Sequence, residues 1–528
     1  MSTPLAAARA SWRPLAPLLL AVAALLLASI GLWPLFDIDE GAFSEATREM
    51  LAGGDWLSTT LNGAPRWDKP ILVYWLQAAS VGLLGLNEFA LRLPSALSAL
   101  AWVALVARFA QERWGDRAGV AAGAVAATSL GPLAIGHAAT ADALLNALLA
   151  ASVLDLWRHL EGGGRAPLLR AWACAGLGVL AKGPIALLIP GGATLVYALG
   201  GGAWPAVLRA GFAPAGWALC AAIALPWYLA EWHLHGRAFI DGFFVKHNLD
   251  RFGGPLEGHG GSVAYYLLVL PLLLLPWTPL LARILRKARA SWRDEPCARF
   301  LLAWAGFVLV FFSLSGTKLP HYALYGATPL FLLLGREATR PAAGRGGTRA
   351  VALAAALACL AIALAPMMVQ TWAGGAQGAR TAFFAAQASR AGVLAGAGYY
   401  VLSGLALLAT VACVLRAGPR AMLLAAGATA ASFCFAFGPW AGEMLAGPVR
   451  DAGRLAAQLG GPAVTWDIGA PAFSVYRGAI TEARAPLPGE LALARTDRLP
   501  AGEPGEILLR EGGVVLLRAR PAAAGPAQ

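Results

Sequence analysis

The sequence predicts a mainly α-helical, polytopic membrane protein of about thirteen spans with a small C-terminal α/β domain. Three observations predict it: 58% of the 528 residues are hydrophobic, 13% are charged, and the charges gather between long apolar runs. Ordinary soluble domains carry roughly 25% charged residues, and a soluble chain this apolar could not cover its own surface. The net charge of +12 would suit nucleic acid if it formed one patch. It is instead dispersed over short loops, and nucleic acid is excluded as a partner.

A span needs about 20 mainly apolar residues to cross a hydrocarbon core about 30 Å thick. Windows 14–36, 210–230, 258–282, 350–379, 391–415 and 421–442 contain no Asp, Glu, Lys or Arg. Shorter or interrupted windows at 93–107, 118–136, 138–157, 168–181, 184–200, 300–315 and 319–335 complete the thirteen. The first run, 23 residues without charge, exceeds the apolar core of about 7–15 residues in a secretory signal peptide, so it reads as a span. Five of the six cysteines fall within spans, and none shows metal spacing or suggests a disulfide framework.

With the N-terminus in the cytoplasm, the inner loops hold 21 basic and 7 acidic residues, against 11 and 13 in the outer loops. The positive-inside rule supports that orientation and an exported C-terminus. The expected division is a transmembrane domain over 1–442, including exported loops at 37–92 and 231–261, and an exported domain over 443–528. In the first loop, EGAFSEATREML from Glu40 to Leu51 places Phe43, Ala46 or Thr47, and Met50 or Leu51 on one face, predicting an amphipathic helix on the membrane surface. Gly53-Gly54 ends it and Asn62-Gly63 predicts a tight turn. In the tail, a helical DAGRLAAQL precedes strand-like AVTWDI, FSVYRG, EILLR and GVVLLRAR.

The sparse charges at or inside apolar runs carry the chemistry. Asp39 and Glu40 follow the first run; Lys69 opens the stretch PILVYWLQAASVGLLG; Asp142, Lys182 and Lys318 interrupt others. An ionisable group at membrane depth is costly and points to function. The lysines lie on the outer side, against the positive-inside rule, which something anionic there would explain. Bland alternatives stand beside this: a solvated loop start for Asp39 and Glu40, and an interfacial, snorkelling Lys69.

These residues sit in an ordered set: DIDEGAFSEATREMLAGGDW, WDKP at Trp67 to Pro70, YWLQA at Tyr74 to Ala78, NEFALRLPSAL at Asn87 to Leu97, TADALLN around Asp142, LAKGP around Lys182, HNLDRF from His247 to Phe252 and KLPHY from Lys318 to Tyr322. The chain thereby resembles the polyprenyl-phosphate-sugar-dependent membrane glycosyltransferases, which include the lipid A aminoarabinose transferases and the protein O-mannosyltransferases. The resemblance implies a C-type glycosyltransferase fold in a bacterial inner membrane and a sugar donor on undecaprenyl or another polyprenyl phosphate. It implies inverting transfer to a lipid A-like or other lipid, glycan or protein acceptor at the periplasmic face, by a monomer among membrane lipids.

It also implies roles. Lys69 is the first phosphate ligand, joined by Lys318, Tyr322, Arg251 and Lys182. Asp39 is the general base for an acceptor hydroxyl, and Asp142 orients the acceptor or holds the cations. Glu40 either supports Asp39 or binds a divalent ion with exported histidines, His247 and His259 being candidates; no other cofactor is implied. Where many relatives place a basic or tyrosyl residue shortly after the acidic pair, this chain has Ala42 and Phe43, so aminoarabinose specificity does not follow. A transporter or flippase of lipid-linked sugar is the rival, because intramembrane charges also line transport paths. The duplicated halves common in transporters are not visible in the sequence.

Overall fold

The computed structural model describes residues 11–520 apart from 251–253, 255–259, 341–343, 377, 379–380 and 501–504. Among these, seven helices are long and apolar enough to cross a membrane: Glu88–Trp114, Asp142–Leu160, Trp204–His235, Pro296–Leu314, Gly344–Gly375, Ala397–Arg416 and Pro419–Leu445. The pair Asp116–Thr128 and Leu130–Gly136, bent by 62°, provides an eighth if counted as one span. The first elements in chain order are α1 (Ala16–Ser29), α2 (Asp39–Gly53), α3 (Leu72–Leu84), α4 (Glu88–Trp114), α5 (Asp116–Thr128), α6 (Leu130–Gly136), α7 (Asp142–Leu160), α8 (Arg165–Lys182) and α9 (Ile185–Leu199).

The mainly helical class holds, but thirteen full-length spans do not appear. Window 14–36 contracts to α1, whose 14 residues rise only about 21 Å. Window 258–282 divides into Tyr265–Leu273 and Thr278–Asp294, and window 319–335 into a 3-10 turn, Pro320–Gly326, followed by Ala327–Thr339. Pro276 lies in the gap of the first, where it withholds the N–H a continuing helix needs, and Pro320 opens the 3-10 turn of the second. α8 is long enough, yet it carries Arg165, Arg170 and Lys182.

The segment between α1 and α4 folds tightly against one end of the helices. The expected Asn62-Gly63 turn joins β1 (Thr60–Leu61) to β2 (Ala64–Pro65), with Leu61 opposite Ala64. Both turn residues have positive φ, 52° and 77°, as a two-residue type I′ hairpin requires. Gly63→Val is therefore expected to lower stability by about 1–2 kcal/mol, the cost of forcing a side chain into left-handed backbone. Thermal unfolding of the purified chain reads this.

α2 does form, and Gly54 closes it in the left-handed conformation. It does not lie on a membrane surface, because its polar face is as buried as its apolar one. Phe43, Ala46 and Met50 pack into a core with Tyr74 and Ala78 of α3, while Glu40, Glu45, Thr47 and Glu49 are also buried. Each acid has protein partners. Glu49 accepts the N–H groups of Asn62 (2.5 Å) and Gly63 (3.1 Å) at the hairpin turn, and Glu45 pairs with Arg48 at 2.6 Å. An amphipathic pattern reports two faces; it does not say that the polar one meets water.

The tail folds as a five-stranded sheet beside two helices, Gly447–Leu459 and Pro471–Arg477. Its strands are β3 (Ala463–Trp466), β4 (Glu482–Ala483), β5 (Leu491–Arg495), β6 (Gly505–Glu511) and β7 (Val514–Ala519), in the order β4-β3-β5-β7-β6. β3 pairs in parallel with β4 and β5, and β7 antiparallel with β5 and β6. AVTW, EILLR and VVLLRA are strands as expected. FSVYRG is instead the helix Pro471–Arg477, in which Phe473, Ser474 and Val475 are all buried; alternation had suggested a strand, but Pro471 at the helix start favours helix entry. LALAR, which the pattern missed, is the central strand β5.

That short helix docks on α2. Asp37 accepts the Ala472 N–H at 2.9 Å, Ser474 donates to Asn62 at 2.8 Å, and the Tyr476 hydroxyl accepts the Leu35 N–H at 2.8 Å while donating to Glu88 at 3.0 Å. A shared core joins Leu35, Leu91 and Ala139 to Phe473, Leu493 and Leu516. The tail thus braces the loop that carries Asp39.

Candidate active site

The N-terminal ends of α7 and α9 and the C-terminal end of α8 converge with the 3-10 turn Pro320–Gly326 on a cavity of about 470 Å³. Lys69, Lys182, His247, Tyr322, Asp68 and Tyr325 contribute its polar lining; Phe244, Phe311 and Phe312 are among its apolar walls. A few charges in an apolar chamber suit a lipid with a charged head.

Asp142 does not interrupt a helix. It begins α7, in the first turn, where the positive end of the helix dipole favours a carboxylate. Lys182 ends α8, and Gly183, at φ 87°, closes that helix. The two charges meet: Lys182 donates to Asp142, which also accepts the Tyr325 hydroxyl at 3.0 Å and the Thr140 hydroxyl at 3.3 Å. His321 Nε2 lies 3.6 Å from the same carboxylate. Lys182 stands over the rings of Tyr322 and Tyr325, 5.9 and 5.5 Å from their centres. A 3-10 turn brings side chains three apart into line, so the two tyrosines stack at 5.8 Å.

Lys69, which also lines the cavity, is half-buried and its ammonium donates to the Asp68 carbonyl at 3.1 Å. The Asp68 carboxylate meets His247 at 2.9 Å and Arg66 at 3.3 Å. Burial alone would raise the Asp68 pKa, but the His247 hydrogen bond and the charges of Arg66 and Lys69 outweigh it and hold the carboxyl well below the usual range. Asp68 therefore stays ionised. Arg66 is itself held by the Tyr74 hydroxyl at 3.2 Å and lies over Phe43.

The other expected residues fall in three places. Lys318 is buried beside the cavity, donating to the carbonyls of Ser313 (3.0 Å) and Ser315 (2.7 Å) at the end of Pro296–Leu314; it caps a helix C-terminus. Asp39 is exposed at the start of α2, close enough for its charge to act on Arg66. Arg251 and His259 lie outside the described residues.

Glu40 is in a different environment. It is clamped by Arg92 through two bonds, 2.6 and 2.8 Å, and accepts the N–H groups of Ala139 (2.7 Å) and Phe36 (2.8 Å). Both oxygens are committed, which favours an architectural part over metal ligation. Among the described residues, no three His, Cys, Asp or Glu side chains gather as a metal site. Sequence reasoning overlooked Asp68, Tyr325 and His321, each adjacent to or three residues from a residue it chose. The 3-10 spacing was the signal available for Tyr325.

Asp37 is an acid of this loop that is only half satisfied. Burial pushes its carboxyl up to about 8, against the lowering effect of the Ala472 N–H, and its second oxygen is buried without a partner. A carboxyl with a raised folded pKa binds a proton more tightly in the folded state, so its contribution to stability falls as pH climbs from about 4 towards 8. Asp37→Asn, which keeps the acceptor for Ala472, is expected to raise the thermal midpoint at pH 8 and to change it little at pH 4. Thermal scans of both proteins across that range check it.

Comparison with known proteins follows from this geometry. A family described as dolichyl-phosphate-mannose-protein mannosyltransferase matches residues 68–229. An undecaprenyl phosphate-alpha-4-amino-4-deoxy-L-arabinose arabinosyl transferase of Pseudomonas aeruginosa is 34% identical over 316 residues, 58% of this chain and 56% of that one. A protein of the same description from an Enterobacter species is 30% identical over 329 residues, 61% and 59% of the two chains. Over these stretches the chain is similar to polyprenyl-phosphate-sugar-dependent membrane glycosyltransferases. It spans a little over half the length of the curated relatives it matches.

A likeness of fold extends over nearly the whole chain. A crystal structure of ArnT from Cupriavidus metallidurans bound to undecaprenyl phosphate superposes with a TM-score of 0.80, covering 98% of this chain and 100% of that one at 22% identity. An oligosaccharyltransferase of Archaeoglobus fulgidus follows at 0.51, covering 90% and 64% at 13% identity. At these identities the likeness is one of fold, and the fold is the C-type glycosyltransferase fold expected from the sequence.

Proposed function

We propose that the chain is an inverting membrane glycosyltransferase of the bacterial inner membrane. It moves a sugar from polyprenyl phosphate to a lipid A-like or other envelope acceptor at the periplasmic face, with its N-terminus in the cytoplasm and the sheet-bearing tail, 443–528, exported as a domain. The observation that carries the reading is the cavity that joins Lys69, Lys182 and Tyr322 to aromatic walls. The relatives' descriptions supply the donor class.

The donor phosphate takes the place between Lys69 and Lys182, with Tyr322 as a hydroxyl donor. As the acceptor oxygen bonds to the anomeric carbon, the bond from that carbon to the phosphate oxygen breaks and both its electrons pass to the phosphate. Cations fixed where this charge develops lower the barrier. Asp142 sets Lys182 in position, and the His247–Asp68–Arg66 chain does the same for the segment bearing Lys69. Asp39, exposed beside Arg66, receives the proton of an acceptor hydroxyl, as a positioned carboxylate can.

Asp39→Asn is expected to lower turnover by about 10²–10⁴-fold, the range for loss of a general base, with the folded protein level unchanged. Near-normal turnover would remove Asp39 from that role. The acceptor is found by mass spectrometry of envelope lipids and glycans from a strain lacking the gene. Loss of one glycosylated species with build-up of the lipid-linked donor supports the reading, and an unchanged envelope opposes it.

A further inference from the structure

We infer a second lipid site: a smaller cavity that takes a short run of methylenes from one acyl chain of an anionic phospholipid, whose headgroup rests on nearby arginines. The cavity, about 150 Å³, lies between α7, α8 and α9 and the helices Trp204–Gly211 and Pro214–His235. Leu187 of α9 lines it, while the next residue, Leu188, lines the candidate active site.

The wall determines the kind of occupant. Its four polar side chains are already satisfied: Ser152 donates to the Ala171 carbonyl (2.9 Å), Thr194 to that of Pro190 (2.8 Å), and the indoles of Trp172 and Trp217 to those of Ala210 (3.2 Å) and Gly211 (2.9 Å). A sugar or peptide would find every side-chain donor of the wall already committed, with only two hydroxyl oxygens left to accept. A cavity of about 150 Å³ holds a benzene-sized group, whereas a packed helix is about 10 Å across. A run of methylenes fits both limits.

Charge at the mouth selects the headgroup. Arg170 and Arg209 adjoin the lining residues Ala171 and Ala210, and both are exposed. Asp155 is shared by Arg158 and Arg170, Glu112 pairs with Arg158 at 2.8 Å, and one N–H of Arg209 meets the Pro205 carbonyl. Basic residues therefore outnumber acids there, which favours an anionic lipid. On the orientation proposed above, this is the cytoplasmic leaflet; the assignment of leaflet rests on that reading, and the site itself does not.

The test is native mass spectrometry of the delipidated full chain in detergent, with dioleoyl phosphatidylglycerol or dioleoyl phosphatidylcholine added. The wild-type chain is expected to retain the glycerol lipid about tenfold better, in line with the contribution of one or two arginines near a headgroup. Arg170→Gln with Arg209→Gln should abolish that preference. Gly191→Leu should cut retention of both lipids about tenfold by filling the cavity; an added Cβ there meets nothing within 4 Å, and the variant's thermal midpoint is measured beside its retention. Equal retention of the two lipids by the wild type overturns the headgroup assignment. Unchanged retention in Gly191→Leu overturns the cavity assignment, and if that variant melts early the arginine pair decides, an intact preference counting against the site. No outcome depends on sugar transfer, so failure here is distinct from failure of the proposed function.

Discussion

Lys69→Ala is expected to reduce sugar transfer by about 10²–10³-fold, the loss seen when one group aimed at developing charge is removed. Lys69 is half-buried on the wall of the cavity and its ammonium is oriented by the Asp68 carbonyl. The ring of partners behind it, His247 at 2.9 Å and Arg66 at 3.3 Å from Asp68, keeps that segment in place when the side chain is truncated. The effect should therefore fall on the lipid phosphate. The KM for donor rises and kcat falls, while the KM for acceptor stays near its original value. Equal disturbance of donor and acceptor use would make Lys69 a structural anchor.

Arg92→Ala is expected to destabilise the chain by about 3–5 kcal/mol, because it leaves a buried carboxylate without its counter-charge. Arg92 is 0% exposed and Glu40 is 4% exposed. Beyond the ion pair, the guanidinium donates to the carbonyls of Ile30 (2.9 Å), Trp33 (2.7 Å) and Pro34 (2.8 Å), at the turn that follows α1. One side chain therefore ties together α1, α4 and, through Glu40 and Ala139, the segment that delivers Asp142. A loss of this size is a large share of the 5–15 kcal/mol that typically separates folded from unfolded chains. A sharply lower thermal midpoint and reduced folded yield in detergent are the readouts. Removing both charges, Glu40→Leu with Arg92→Leu, should recover part of the loss. A wild-type midpoint for Arg92→Ala would show that the pair anchors nothing.

Much of the site was legible in the sequence, for physical reasons. Lys69 and Lys182 could be chosen because a charge beside a long apolar run is costly to keep there unless it meets a partner or a ligand, and Tyr322 because KLPHY resembles a motif of the family. Asn62-Gly63 could be placed because left-handed backbone admits few residue types. What could not be read was which acids face protein. Glu40, Glu45 and Glu49 have the same chemistry as Asp39 and stand on the same helix, yet only the fold shows that the three are buried against Arg92, Arg48 and a hairpin turn. Lys318 was similar: its charge was noticed, but its attachment to the carbonyls of Ser313 and Ser315 depends on where a helix ends. Span lengths were overread because hydropathy does not register a 3-10 turn, and FSVYRG because alternation over six residues fits a strand as well as a short helix.

The most direct test is product analysis with the purified chain in detergent micelles, where no second compartment exists. Given polyprenyl-phosphate-linked sugar labelled in the sugar and a lipid A acceptor, the chain should form labelled acceptor of inverted anomeric configuration and release one polyprenyl phosphate for each sugar moved. Intact donor throughout, together with vectorial movement of that donor once the protein is placed in vesicles, would contradict glycosyl transfer and make the chain a transporter.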